Sequence, residues 1–310
     1  MLYTVKNMMY TAFGLRVRSE IPLPELPEQL GESKDTADIM IEKNDVSKLW
    51  YELSSSPRMF VVTEKLVMFQ IEDIAIFLIQ EGKRIVVSPL PSYEEDIVRL
   101  YLLGTCMGAL LMQRKILPLH GSTVAINGKA YAFIGDSGAG KSTLASAFLN
   151  RGFQLLSDDV IAVTLSPDEH IPFVTPSYPQ QKLWQESLNK FGMESSDFRS
   201  IYGRETKYCV PVSSRYFANP LPLAGVFELV KTEDDKIQIH PIDKLQRFQT
   251  LFTHTYRNFL IPRLGLMEWH FSISASILNR IKVYQLGRPI SGFSAPQLSS
   301  LILEIINKEE

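Results

Sequence analysis

The stretch Phe133-Ile134-Gly135-Asp136-Ser137-Gly138-Ala139-Gly140-Lys141-Ser142-Thr143 constrains this chain more than any other. It has the spacing G-x-x-x-x-G-K-[ST]. A strand-like apolar run precedes it and a helix-like run follows it. Three glycines in six residues let the main chain fold back without Cβ clashes, so several N–H groups can converge on one anion. The helix expected from about Lys141 to Arg151, ended by Gly152, aims its N-terminus at the same point. Gly135, Asp136, Ser137, Gly138, Ala139, Gly140, Lys141, Ser142 and Thr143 are therefore the candidate cradle for a nucleotide triphosphate. Lys141 is the expected cation on its β and γ phosphates, and Ser142 the expected hydroxyl ligand of Mg²⁺.

The neighbouring sequence extends this element. Ser122–Ile126 and Ala130–Ile134 read as strands joined by an Asn127-Gly128 hairpin turn. After the helix, a short strand Phe153–Leu156 runs into Ser157-Asp158-Asp159, and a further strand is expected over Val160–Thr164. A carboxylate at the end of such a strand can hold the Mg²⁺ shell, and a second can take a proton from an attacking hydroxyl. Asp159 is assigned here to the metal with Ser142, and Asp158 to the base. His120, just ahead of the first strand, is a candidate to orient Asp158. Arg204 and Lys207 are candidate phosphate or substrate contacts, because phosphoryl transfer needs cations near the γ-phosphate.

The first hundred residues read differently. Strands are expected at Tyr3–Val5, Ala37–Ile41, Met59–Thr63, Leu66–Ile71, Ile74–Ile79 and Arg84–Ser88. Ile21-Pro-Leu-Pro-Glu-Leu-Pro27 contains three prolines, which remove amide donors, so it reads as a surface extended segment. Ser92–Lys115 reads as a buried helix capped by Ser92, with Glu94, Glu95 and Asp96 in its first turn. Downstream of the acids, a hairpin is expected between Ala224–Lys231 and Lys236–His240. Helices are expected at Lys244–Phe259, Ser274–Lys282 and Ala295–Lys308, and a strand at Val283–Leu286. The expected organisation is a β-rich region over 1–90 for substrate or oligomer contacts, a linking buried helix over 91–118, and a nucleotide domain over 119–310.

Composition narrows the function classes. The 310 residues carry 32 basic and 34 acidic side chains, a net charge of −2. Before Pro118 there are 13 basic and 16 acidic residues, and from there on 19 and 18. No basic block exists for nucleic acid and no polybasic tract for a membrane surface, so neither partner is expected. The longest apolar run, Leu100–Met112, is too short to span a bilayer. Met1–Glu20 shows no apolar signal segment, and two cysteines, Cys106 and Cys209, make neither a disulfide framework nor a zinc spacing. The expected location is the cytoplasm. A homo-oligomer is compatible with the near-neutral hydropathy.

Leu119-His120-Gly121, the Gly135–Ser142 loop, Arg151-Gly152 and Asp158-Asp159 together resemble the core of bacterial HPr kinase/phosphorylase. That family and phosphoenolpyruvate carboxykinase place a His, a P-loop and an acidic pair in this order, and the carboxykinase pattern implies metal binding as the alternative role for His120. The resemblance implies an α/β P-loop core of that type, an N-terminal β-rich region, and use of ATP and Mg²⁺. Position 143 is Thr, where that family usually carries Glu, and no Glu-Ile-Arg-Gly-like stretch follows. The flanks, Gly14–Pro27, Leu102-Leu103-Gly104, Pro118–Ser122 and Tyr178-Pro179 with Leu183-Trp184, are more similar to the kinases of lasso-peptide biosynthesis. This implies transfer of the γ-phosphate to the C-terminal Ser of a precursor peptide. The alternatives are an HPr-type protein serine kinase/phosphorylase, a non-catalytic ATP-binding switch and a small-molecule kinase.

Overall fold

A computed structural model of the chain describes residues 8–28, 36–54 and 60–309. It divides into two compact units, Met1–Ile116 with Arg257–Trp269, and Leu117–Tyr256 with His270–Glu310. The helix expected to link two domains lies wholly in the first unit. The strand expected at Tyr3–Val5 falls outside the described residues.

The first unit is a seven-stranded sheet of order β1-β2-β3-β7-β6-β5-β4. Its strands are β1 (Met8–Ala12), β2 (Leu15–Ser19), β3 (Ile39–Lys43), β4 (Val61–Thr63), β5 (Leu66–Ile71), β6 (Ala75–Gln80) and β7 (Arg84–Pro89). The run Ala75-Ile76-Phe77-Leu78-Ile79 of β6 is buried on both faces, which is why it is apolar without alternation. On one face, Trp50 of α1 (Ser47–Leu53) packs with Met68, Ile76, Leu78 and Val86. On the other, Phe69 and Phe77 stack at 4.8 Å beside Tyr101. Tyr101 ends α2 (Glu95–Tyr101), which continues through a π turn at Leu102–Cys106 into α3 (Met107–Gln113). Glu94, not Ser92, is the cap residue, so the helix starts three residues later than its sequence suggests.

The proline segment is less superficial than expected. Pro22, Pro24 and Pro27 are exposed, but Ile21 and Leu23 are fully buried and Leu26 is nearly so. Tyr10 Oη accepts the Leu23 N–H at 3.0 Å. Buried Arg99 of α2 reaches Glu25 at 2.9 Å and also bonds Asp96. Proline blocked the strand, as anticipated, but Ile21 and Leu23 still alternate inward, and a turn closed by the Leu26 N–H to Leu23 O brings Leu26 in as well.

The second unit is a mixed seven-stranded sheet of order β11-β10-β8-β9-β15-β17-β16, with a three-stranded sheet β12-β14-β13 beside it. The chain enters at β8 (Leu117–Ile126), turns through Asn127-Gly128, both at positive φ, and returns along β9 (Lys129–Gly135). It then makes the loop, α4 (Lys141–Leu149), and β10 (Gln154–Leu165) antiparallel to β8. The two strands expected around Asp158-Asp159 are thus one strand, broken only by a bulge between Leu155 and Ser157. Then come β11 (Pro172–Thr175), β12 (Gln180–Trp184), α5 (Gln185–Lys190), β13 (Arg199–Ile201) and β14 (Arg204–Pro211).

β15 (Leu221–Thr232) runs parallel to β9. It does not form the expected hairpin with β16 (Gln238–Pro241). Instead β17 (Lys282–Pro289) inserts between them, parallel to β15 and antiparallel to β16. β17, which buries Val283, Leu286 and Gly287, covers β15 better than β16, which has no buried residue, and local turn residues cannot report that. After β16 comes α6 (Lys244–Thr253), shorter than expected; α7 (Leu260–Arg263) belongs to the first unit, as does the start of α8 (Met267–Leu278), which begins earlier than expected, and α9 (Ala295–Glu309) closes the second. α4 and α9 cover one face of the sheet. Phe133, Leu144, Phe148, Phe227, Leu298 and Ile302 form the core beneath them. Among the described residues no helix is long and apolar enough to cross a membrane.

Candidate functional site

Every element around the loop serves its shape. β9 delivers Gly135 at φ 141, where a Cβ would stand 2.5 Å from the Leu229 carbonyl oxygen of β15. Gly138 (φ 81) and Gly140 (φ 105) complete the turn into α4. No side chain can occupy these places at this backbone without strain. Arg288 of β17 braces the loop from outside, donating from Nε to the Ala139 carbonyl at 2.7 Å and from Nη2 to Gly138 at 3.3 Å. Lys141 is buried at the loop's mouth and donates to the carbonyls of Gly135 (2.8 Å) and Asp136 (2.9 Å). Burial pushes its ammonium down to about 8, against the pull of Asp158 and Asp159.

The two acids sit in mid-strand on β10, not at a strand end. Both oxygens of Asp158 accept hydrogen bonds. Oδ1 accepts from the Ser142 hydroxyl at 2.8 Å and from the Ser122 hydroxyl, and Oδ2 accepts the Lys182 N–H at 2.7 Å. Burial nevertheless raises its carboxyl above the usual range. Asp159 has φ 74, a strained conformation for a residue inside a strand. Its side chain pairs with Lys182 Nζ at 2.6 Å and approaches His120 Nδ1 at 3.6 Å. Burial opposes its charge, but Lys182 and His120 outweigh that and hold it below the ordinary carboxylate range.

His120 Nδ1 lies 3.1 Å from the Asp159 carbonyl oxygen. An oxygen there can only accept, so Nδ1 carries the proton and Nε2 keeps its lone pair. Burial pushes the ring down to about 4, with Asp159 opposing, so it is neutral at neutral pH. Gly121 follows because a Cβ there would stand 2.2 Å from the Phe133 carbonyl oxygen of β9. The expected site residues His120, Lys141, Ser142, Asp158 and Asp159 are thus brought together.

Of the two outlying candidates, Lys207 joins them. It lies on β14 with its ammonium 5.5 Å over the Trp184 ring, within the field of both acids, and burial lowers its pKa. Arg204 is exposed and 5.9 Å over the same ring, farther out.

Three site residues escaped sequence reasoning. Lys182 of β12 clamps both acids, one by its main chain and one by its side chain. Burial opposes its charge, yet Asp159 holds its pKa well above normal. Gln181 accepts from Ser146 at 3.0 Å and donates to the Ser142 carbonyl, tying β12 to α4. Tyr178 is buried near Lys182 and Asp159, with burial raising its phenol. All lie about twenty residues beyond the acids on a segment of ordinary polarity, and no spacing marks them.

Beside the loop is a cleft of about 250 Å³, lined among others by Gly140, Thr143, Trp184, Arg288, Phe293 and Ser294. Among the described residues no three His, Cys, Asp or Glu side chains gather as a metal site. The hard oxygens available, Ser142 and Asp158, suit a Mg²⁺ ion that takes its other ligands from phosphate and water.

No family model matches the chain. Its sequence is 28% identical to the HPr kinase/phosphorylases of Ralstonia pickettii and Cupriavidus metallidurans, over 149 residues in each case. Those 149 residues are 48% of this chain and 39% of each relative. It is 32% identical over 78 residues to that of Mycoplasmopsis pulmonis, 24% of this chain and 25% of the relative. The HPr(Ser) kinase/phosphatase structure from Coxiella burnetii aligns over 62% of this chain and 95% of that one, at 16% identity and a TM-score of 0.32. The chain is a distant homologue of HPr kinase/phosphorylase. It spans about two fifths of the length of the longer-matching curated relatives.

Proposed function

We propose that this protein is an ATP-dependent serine kinase with a polypeptide acceptor. The observation that carries this reading is the meeting of the glycine loop and Lys141 with two acids and a neutral histidine on the adjoining strands. A switch that only bound nucleotide would have no use for a buried acid-histidine pair. The loop amides and Lys141 hold the phosphates, and the cleft lined by Trp184, Phe293 and Thr143 receives the nucleoside end. Ser142 and Asp158 would hold Mg²⁺, which would supply charge neutralisation for the transferring phosphate.

This exchanges the roles expected for the two acids. Charge alone favours Asp158 as base, since its carboxyl is raised. Geometry favours Asp159: Ser122, Ser142 and the Lys182 N–H pin Asp158 beside Ser142, its partner around the metal, whereas Asp159 Oδ1 lies on the His120 side, 3.6 Å from Nδ1. Geometry ranks first in choosing a base. Asp159 therefore orients the serine hydroxyl and accepts its proton as the oxygen–phosphorus bond forms. The bond from the γ-phosphorus to the β–γ bridging oxygen breaks, and ADP leaves. Lys207 stands by to stabilise the charge that develops, as the sequence suggested. Arg204 is assigned to the acceptor side.

Two acceptors follow from different observations. The flanking resemblance points to the C-terminal Ser of a lasso-peptide precursor, and the homology to HPr kinase/phosphorylase points to a folded carrier protein. Incubation with Mg-ATP and each acceptor, read by mass spectrometry, separates them. The kinase reading predicts one added phosphate on a serine of one of them; modification of neither would sink it. Asp159→Asn is expected to lower transfer at least about a hundredfold with Mg-ATP affinity within about threefold, whereas Asp158→Asn should weaken Mg²⁺ binding and raise the Mg²⁺ concentration needed for half-maximal transfer. The reverse pattern would restore the assignment made from sequence. Adding inorganic phosphate to phosphorylated product tests the reverse phosphorylase reaction.

A further inference from the structure

β8 and β9 pair from Gly121–Ile134 to Ile126–Lys129. Past Gly135 the chain leaves the sheet to form the glycine loop. Pro118, Leu119 and His120 then have no β9 residue beside them, although they lie in or near the core. Main-chain groups left unpaired there would be costly. The end of α6 fills the place. His254 O accepts the His120 N–H at 2.7 Å, Thr255 bridges Leu119, and the Tyr256 N–H donates to Pro118 O at 2.8 Å. The Tyr256 ring also stands 5.6 Å from the His120 ring.

This three-residue strap is itself held from below. His254 Nε2 donates to Glu228 Oε1 of β15 at 2.9 Å, and Gln285 of β17 donates to Glu228 Oε2 at 2.9 Å. Thr255 Oγ1 donates to Leu251 O at 2.7 Å and lies 2.9 Å from His270 Nε2. His254 is 7% exposed and Glu228 is 9% exposed. Burial pushes Glu228 up, but its bonds from His254 and Gln285 prevail and hold it below the ordinary range. An apolar pair would fill the same space at lower desolvation cost. What the polar pair adds is direction: it sets which way the His254 carbonyl, and hence His120, faces.

We propose that Glu228 and His254 are positioning residues for His120. Through the strap 254–256 they hold its main chain and ring in register with Asp159, on the side where β9 has departed. Neither residue touches substrate. The inference rests on reading His120 and Asp159 as the acceptor end of the site.

The test uses the full chain with Glu228→Gln, His254→Gln and the double variant, in which two amides can bond each other. The readouts are kcat, KM for Mg-ATP, and the ¹H–¹³Cε1 NMR signal of His120, assigned with His120→Gln. Each single variant should lower kcat about 10- to 100-fold, leave KM within about threefold, and shift the His120 signal. The double variant should recover about tenfold of kcat. Unchanged kcat with an unmoved His120 signal would overturn the proposal, and so would a rise in KM alone. Should the single variants unfold, Gln285→Ala removes only one bond to Glu228 and should give a smaller change of the same kind; no change would again defeat the idea. A wild-type chain that transfers phosphate to nothing would defeat the kinase reading instead. The His120 signal would then decide the positioning role by itself.

Discussion

Single residues carry sharply different loads in this protein, and the glycines show why. At Gly121 φ is ordinary, and the constraint is the Phe133 carbonyl oxygen 2.2 Å from any Cβ. At Gly128 nothing lies within 4 Å, and the constraint is φ 73 alone. Gly128→Ala should therefore cost about 1 kcal/mol, whereas Gly121→Ala forces two strands apart and should cost about 3 kcal/mol or more. Urea unfolding of the two variants checks the order. His270 makes a second residue-scale prediction. Burial pushes it down to about 4, so the unfolded chain takes up a proton below about 6.5 that the folded chain refuses. Stability is then lost as pH falls from about 6.5 to 4, by up to about 3 kcal/mol. His120 acts in the same direction but is a third exposed and contributes less. Asp158, with its raised carboxyl, acts in the opposite direction. His270→Gln should flatten the decline between pH 7 and 4.5, measured by urea unfolding at each pH; an unchanged slope would refute it.

At the scale of elements, the sequence was most legible where local pattern and tertiary need agree. The Asn127-Gly128 hairpin, the glycine loop and α4 stand where their residues put them, because turn chemistry and helix stops act within a few positions. β16 is the opposite case. Its apparent partner was its sequence neighbour, but β17, some forty residues on, competes for the same edge and wins by burial. The proline segment failed for a related reason, since Tyr10 holds its Leu23 N–H and Arg99, 74 residues on, holds its Glu25. Arg99 is 5% exposed, with Glu25 beside it, so removing the guanidinium leaves a buried carboxylate uncompensated. Arg99→Leu should destabilise the first unit by about 3–5 kcal/mol. Arg99→Leu with Glu25→Leu should recover most of that, and a double variant no more stable than the single would show that the pair does not act together.

On the scale of the whole molecule, near-neutral charge has a definite counterpart. The anionic ligand proposed above would meet a local cluster of cations, Lys141, Lys182 and Lys207 around Asp158 and Asp159, with Arg288 and Lys231 beside the loop. A ligand that binds only the folded form adds about 2.7 kcal/mol at a hundred times its Kd. Mg-ATP at that level should raise the thermal midpoint by about 5–10 °C, and Lys141→Ala should abolish the shift. A wild-type midpoint indifferent to Mg-ATP would argue against the nucleotide site altogether.

By itself, the sequence determined the strand–loop–helix element, the residues that line it and the presence of an acidic pair and a histidine nearby. Those features depend on backbone conformation and on the chemistry of side chains within about forty positions. Only the tertiary structure gave the two acids different partners, because Lys182, Ser122 and Ser142 arrive from three other elements. It also decided that His120 is held by a strap 134 residues later, since His254 can find it only after β9 has turned away and left an edge that buried main chain cannot leave unpaired.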